Sequence, residues 1–288
     1  MASREKQLMQ EFRKHWLSLG VALFSSLGSQ GAAADDNATF AEVQPRAITL
    51  ARAGGEGEGL GEGEGEGEGE GTQSPEQNIK HSDVAYLSRL GLIRGHLLAG
   101  FTLYQQGHAD MAATHMKHPE DELFTNLEAA LQHRNAPPFS EELSALSTAV
   151  TKQADMDKVK SAYKNLDEAL QAVEARAQPS LRTTLLSIRN LVRTAGEEYA
   201  VGVRDGTVVN VHEYQDAWGF TQLARRRLDH LDSEQRATAP RAVARVEQLL
   251  ADLDSLWPEL APGDTVDGDA ARLFGAAARI EIAALDLQ

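Results

Sequence analysis

The chain of 288 residues contains no cysteine. Disulfides, a cysteine-linked lipid anchor, covalent haem attachment, iron–sulfur clusters and thiol nucleophiles are therefore excluded. Long apolar runs are missing as well: Trp16–Leu27 has about 12 residues where a membrane helix needs roughly 20. Positive charge is scarce, with 28 Lys and Arg against 43 Asp and Glu and a formal net charge of −15. Such a surface repels nucleic acid and anionic lipid and favours cationic ligands. Strand patterning is almost absent, Thr207-Val208-Val209 being the one β-like fragment. There is no G-x-S-x-G, phosphate loop, dinucleotide fingerprint or H-E-x-x-H motif to support a hydrolase or nucleotide enzyme. A pair of E-x-x-H elements of the ferritin-like dimetal kind is also missing.

The N-terminal part has two recognisable segments. Residues 1–34 read as a secretory signal peptide, with Arg4, Lys6, Arg13 and Lys14 before the apolar run and Ala32-Ala33-Ala34 as the cleavage site. The mature protein is then expected in the periplasm. Cleavage would remove four basic and two acidic residues and shift the formal charge from −15 to −17. Residues 35–81 read as a disordered acidic linker. Gly54 to Gly71 is nearly a Gly-Glu repeat, in which glycine entropy and carboxylate repulsion oppose any core.

From Ser82 onward helical periods take over. Ser82 is a candidate N-cap for a helix carrying Leu90, Ile93, Leu97, Phe101 and Tyr104 at 3,4 spacing, and Gly107 is its stop. A short helix follows to Lys117, and His118-Pro119 breaks it. Further apolar stripes run from Ser140 to Val173, from Leu185 to Tyr199, from Trp218 to Leu231, near 236–256 and near 267–286. With short connections these predict an all-α, antiparallel, up-and-down helical bundle. We divide it into a helical hairpin unit, 82–136, and a bundle, 137–288.

Four of the nine histidines, His96, His108, His115 and His118, fall within 23 residues of this hairpin. At 1.5 Å per residue, His96, His115 and His118 stand roughly 16, 12 and 16 Å from Gly107. An antiparallel hairpin brings them level, and His115 and His118 share a face. Imidazoles with a carboxylate, here Glu122 or Glu198, suit iron, copper, zinc or nickel. His108, His133, Met111 and Met116 are secondary candidates; the methionines would tilt the choice to copper. The bland alternatives are a satisfied core histidine at 96, a hinge at His118, and dipole-stabilising acids at Glu120–Glu122.

A second constellation joins Glu197-Glu198-Tyr199 to Val203-Arg204-Asp205-Gly206-Thr207-Val208-Val209-Asn210-Val211-His212-Glu213-Tyr214-Gln215. Asp205-Gly206 signals a turn, and Asn210 to Glu213 has the form of a capping box. Tyr199 and Tyr214 read as packing residues. This pattern, over roughly residues 190–231, resembles the periplasmic part of bacterial iron permeases of the oxidase-dependent type. There a helix ends in a tyrosine-containing segment, a V-x-D-G-x-V-x-N turn follows, and an E-Y pair opens the next helix. The resemblance implies a helical periplasmic domain serving cation uptake, with Glu198, Glu213 and Tyr214 as the residues that carry over. The chain departs from the family in having neither the R-E-x-x-E permease motif nor the G-x-H-x-x-E motif of imelysin-like relatives.

The expectation is thus a non-enzymatic metal-binding accessory of iron uptake, copper being second, that works beside a membrane metal permease. Its metal residues are His96, His115, His118, Glu122, Glu198 and Glu213. The alternatives are a helical interaction or sensory domain without metal, and a metal-dependent oxidase.

Overall fold

The computed structural model describes residues 75–119, 127–263, 265–266 and 268–287. The expected signal, most of the expected linker and Glu122 lie outside the described residues, and at His118 only the backbone is described. Residues Gln73–Gln288 form one compact unit.

Eleven α-helices occur among the described residues: α1 Pro75–His81, α2 Asp83–Gln105, α3 Ala109–His118, α4 Glu128–His133, α5 Ser140–Thr151, α6 Met156–Glu174, α7 Leu181–Gly202, α8 Val211–Asp229, α9 Ser233–Thr238, α10 Pro240–Ala251 and α11 Ala271–Leu285. Helix α1 occupies the end of the stretch assigned to the linker. It is held by burial of Ile79 and by a hydrogen bond from the Ser82 amide to the Asn78 carbonyl. The single apolar stripe expected from Ser140 to Val173 is split into α5 and α6, the second capped by Asp155, whose side chain accepts from the Lys158 amide.

Helices α7, α8, α10 and α11 enclose one apolar core that reaches from Leu181 to Ala284 and includes Leu185, Ile188, Phe220, Val246 and Ile280. Burying one such side chain contributes about 1.5–3 kcal/mol. Between α7 and α8 the chain reverses in a two-residue loop. Strands β1 (Val203–Arg204) and β2 (Thr207–Val208) pair antiparallel, Val203 opposite Val208 and Arg204 opposite Thr207. Asp205 and Gly206 both adopt positive φ, 50° and 74°, which is the backbone an Asp-Gly hairpin turn demands. This turn sets the antiparallel register of α7 and α8.

Helix α2 lies against this bundle and contacts α3, α6, α7 and α8. It is buried on nearly every face, at Tyr86, Leu90, Ile93, His96, Leu97, Ala99, Phe101 and Leu103 among others. An amphipathic stripe was expected there, and the observed burial follows from packing on several sides. Two glycines set the approach of α2 to α8. A Cβ on Gly219 would stand 2.3 Å from the Gly95 carbonyl oxygen, and one on Gly95 would stand 2.4 Å from the Phe220 ring. Helix α2 ends as expected at Gly107, whose φ is 86°. The His108 amide bonds the Leu103 carbonyl at 2.9 Å and the Gly107 amide that of Tyr104 at 3.1 Å, which is a Schellman ending. The chain then turns back into α3, seated on α2 through Gly100, where a Cβ would meet Met116 Cε at 2.5 Å.

Partly buried ion pairs tie α2 to its other neighbours. Arg94 reaches Asp167 at 2.6 Å and Glu174 at 2.5 Å, and Arg227 on α8 reaches Glu174 at 2.6 Å.

Candidate metal centre

The close passage of α2, α3 and α8 brings two imidazoles and a carboxylate to one point. His96 comes from the middle of α2, His115 from α3, and Asp216 from the second turn of α8. The Nδ1 atoms of His96 and His115 lie 2.6 and 2.8 Å from the same oxygen, Asp216 Oδ1. Each residue offers a ligand atom, and these atoms all lie within 4.8 Å of one another. The three side chains are 1%, 2% and 2% exposed.

Charge follows from this geometry. Burial opposes ionisation of Asp216, yet the facing imidazoles and their hydrogen bonds outweigh it and hold its carboxyl well below the usual range. An ionised carboxylate can only accept, so both Nδ1 atoms donate to it. His115 Nε2 lies 2.9 Å from Gln215 Oε1. The amide is oriented by its other end, since Gln215 Nε2 donates to the Leu260 carbonyl at 3.1 Å and contacts Met111 Sδ at 3.4 Å. Burial pulls the His115 pKa down, but Asp216, the bond to Gln215 and the charge of Glu213 raise it above its ordinary value.

Next to this trio sits a carboxyl pair. Glu198, near the end of α7, and Glu213, in the first turn of α8, are 5% and 4% exposed. Burial, first of all, and then Glu213 raise Glu198 well above the usual range; their hydrogen bond raises Glu198 and lowers Glu213, so Glu198 donates. Burial and Asp216 raise Glu213, while His96 and His115 pull it back. The expected capping box at Asn210 is not formed. Asn210 does cap α8, but through a bond from the His212 amide to its side-chain oxygen at 3.1 Å. Its backbone amide is taken by the Gly202 carbonyl at 3.1 Å, and the Glu213 carboxylate instead accepts from the Asn210 side-chain amide, Nδ2 to Oε1, at 3.4 Å.

His212 completes the surroundings. Its ring lies 5.5 Å from that of His115 in an edge-to-face arrangement. It is partly exposed, and its Nδ1 is buried without a hydrogen-bond partner. Leaving such an atom unsatisfied costs about 1–3 kcal/mol. Burial, then repulsion from His115, lowers its pKa.

Of the residues singled out by sequence, the fold brings together His96, His115, Glu198 and Glu213. The His118 side chain and Glu122 lie outside what is described. His108 is exposed at the turn and lines a groove of about 450 Å³ with Trp218, Trp257 and Glu259. His133 packs edge-on against His81, with ring centroids 5.1 Å apart. Met116 is core. Tyr199 and Tyr214 are buried as expected, their hydroxyls bonded to the Leu256 and Glu259 carbonyls.

Sequence reasoning passed over Asp216, and it included His212 and Gln215 in the second constellation without giving either a role at the site. The signal was present for Asp216: it falls three residues after Glu213 and four before Phe220, on the inward stripe of α8, where a lone carboxylate requires a buried partner.

The chain thus carries an all-α four-helix bundle with a docked helical hairpin and a buried His–His–Asp cluster at their junction. Residues 174–284 match the family model of the iron permease-associated 4-helix bundle domain. This stretch, α7 to α11, is similar to that domain and widens the resemblance seen over roughly 190–231. It contributes Glu198, His212, Glu213 and Asp216, while His96 and His115 come from the hairpin outside it. No curated protein and no solved structure matches the chain. No helix among the described residues is long and apolar enough to cross a membrane.

Proposed function

We propose that this protein is an exported, periplasmic metal-binding accessory of iron uptake, which takes up ferrous ion at His96, His115 and Asp216 and works beside a membrane permease. The association with iron uptake rests on the domain similar to residues 174–284. The metal reading rests on one observation, the three buried ligand atoms within 4.8 Å drawn from three helices. Two imidazoles and a carboxylate with further positions open form the donor set that non-haem ferrous iron prefers, and Glu198 and Glu213 supply additional oxygen. Copper is the weaker choice because no thiolate is available and Met116 is used in packing. Binding must displace protons, since both ring nitrogens of His115 face acceptors, Asp216 Oδ1 and Gln215 Oε1. We assign carriage of the ion without turnover.

A second reading follows from the distances themselves. Donors around a tetrahedral ion with bonds near 2.0–2.1 Å stand about 3.3 Å apart, whereas the two Nδ1–Oδ1 separations are 2.6 and 2.8 Å. The same trio therefore also serves as a proton-filled network that locks the hairpin onto the bundle in a domain without metal.

Anaerobic titration of the full chain with Fe(II), followed by elemental analysis after gel filtration, separates the two. The proposal expects one ion per chain, lost in His96→Ala, His115→Ala and Asp216→Ala variants that still fold. No stoichiometric iron in the wild type overturns it in favour of the network. Oxygen-dependent oxidation of ferrous ion faster than the buffer blank would replace carriage by an oxidase.

A further inference from the structure

The trio is sealed. His96, His115 and Asp216 are almost without exposure, and Glu198, Glu213 and Gln215 around them are buried too. An ion from solvent must be handed inward by a side chain that meets both environments, and His212 is placed to do so. It stands in the first turn of α8, four residues before Asp216, so it lies on the same helical face one turn closer to the helix start. Its ring is 5.5 Å from that of His115, edge-to-face. The residue is partly exposed, yet Nδ1 is inaccessible and makes no hydrogen bond. The ring therefore meets solvent and also lies against His115, and it carries a buried nitrogen that makes no hydrogen bond. A half-buried imidazole with an unpartnered buried nitrogen, beside His115 and one helical turn from Asp216, has the chemistry of a transfer ligand.

We propose that His212 is the intake ligand of the centre: it binds a divalent first-row transition ion at the surface and passes it to His115, His96 and Asp216. The inference rests on the metal reading above. Because His212 holds the ion only in transit, it changes the rates of loading and release together and leaves the final affinity nearly unchanged. A permanent fourth ligand would do the reverse.

The test uses Co(II) as a coloured probe on the full chain, with stopped-flow loading, chelator-driven release, and equilibrium competition against a chelating dye. His212→Phe keeps the ring packing and removes both nitrogens; His212→Gln keeps a polar group of similar reach. Far-UV circular dichroism confirms that each folds. The expected result is loading and release both slowed at least tenfold in His212→Phe, less in His212→Gln, with Kd within threefold of wild type. Unchanged loading rates overturn the inference and leave the metal reading intact. A Kd weakened tenfold or more with faster release also overturns it, making His212 a permanent ligand. No cobalt uptake by the wild type removes the metal reading and this inference with it.

Discussion

Replacing Asp216 by Asn removes one charge and almost no volume from the point where α2, α3 and α8 meet. In the wild type a single oxygen accepts from His96 at 2.6 Å and His115 at 2.8 Å in a fully buried setting. A hydrogen bond to a charged group contributes about 1.5–3 kcal/mol and a neutral one about 0.5–1.5. Two bonds changed from the first kind to the second lose about 2 kcal/mol together. His115 also loses the partner that stabilises its proton, and breaking a buried pair outright costs about 3–5 kcal/mol. Since asparagine still accepts, we expect a net loss of about 2–4 kcal/mol. For a folded unit of this size each kcal/mol lowers Tm by about 2–4 °C. The variant should therefore melt roughly 5–15 °C below wild type at pH 6 with chelator present, followed by circular dichroism at 222 nm. The same variant should lose Fe(II) binding, because the anionic member of the trio is gone. A melting point within about 1 °C of wild type, or above it, would refute the claim that this charge ties the hairpin to the bundle.

Other outcomes follow from the same geometry. Glu198, Glu213 and Glu197 have raised pKa values, so between their ordinary value of 4.5 and their folded values the native state binds more protons than the unfolded chain. Stability of the metal-free protein must then fall as pH rises above about 4.5, by up to about 1.4 kcal/mol per pH unit for each proton. His115 acts in the same direction above 6.5, and His212, with a lowered pKa, opposes it. Urea unfolding between pH 5 and 8 that shows rising stability would contradict this. Glu198→Gln imitates the protonated carboxyl that donates to Glu213; it should match wild type near pH 4.5 and exceed it at pH 8, with a flatter slope. Gly219→Ala puts a methyl 2.3 Å from the Gly95 carbonyl oxygen, backbone that cannot swing aside. It should cost about 1–3 kcal/mol or more and abolish metal uptake by parting α2 from α8, and normal uptake would show that close contact to be dispensable. Arg94→Met should cost about 1–3 kcal/mol in urea unfolding, less than a fully broken buried pair. Its two carboxylates keep other partners, Glu174 with Arg227 and Asp167 with Gln171. Iron affinity should stay unchanged, and a large drop would mean that this ion-pair cluster also shapes the metal site.

Much of the local structure was legible in the chain itself. Helix spacing, the Ser82 cap, the Gly107 stop and the Asp205-Gly206 turn are near-neighbour effects, set by backbone sterics and side chains within a few residues. The rise per residue about Gly107 was enough to bring His96 and His115 into one neighbourhood, because a hairpin about a known turn has a fixed arithmetic. The same local logic misread Glu213: a capping box needs only four residues, but the Asn210 amide was already engaged by Gly202 across the turn.

What only the tertiary structure decided was the third partner. Asp216 is separated from His96 by 120 residues and from His115 by 101, and no periodicity along one helix reports which face another helix will meet. That was set by the packing of Gly95 against Gly219, where the absence of two methyl groups lets backbones touch. The sequence alone determined the helices and placed two imidazoles on one hairpin. Burial against α8 added the carboxylate and removed water, and a charge that would be solvated on an isolated helix is held ionised there by the two histidines facing it.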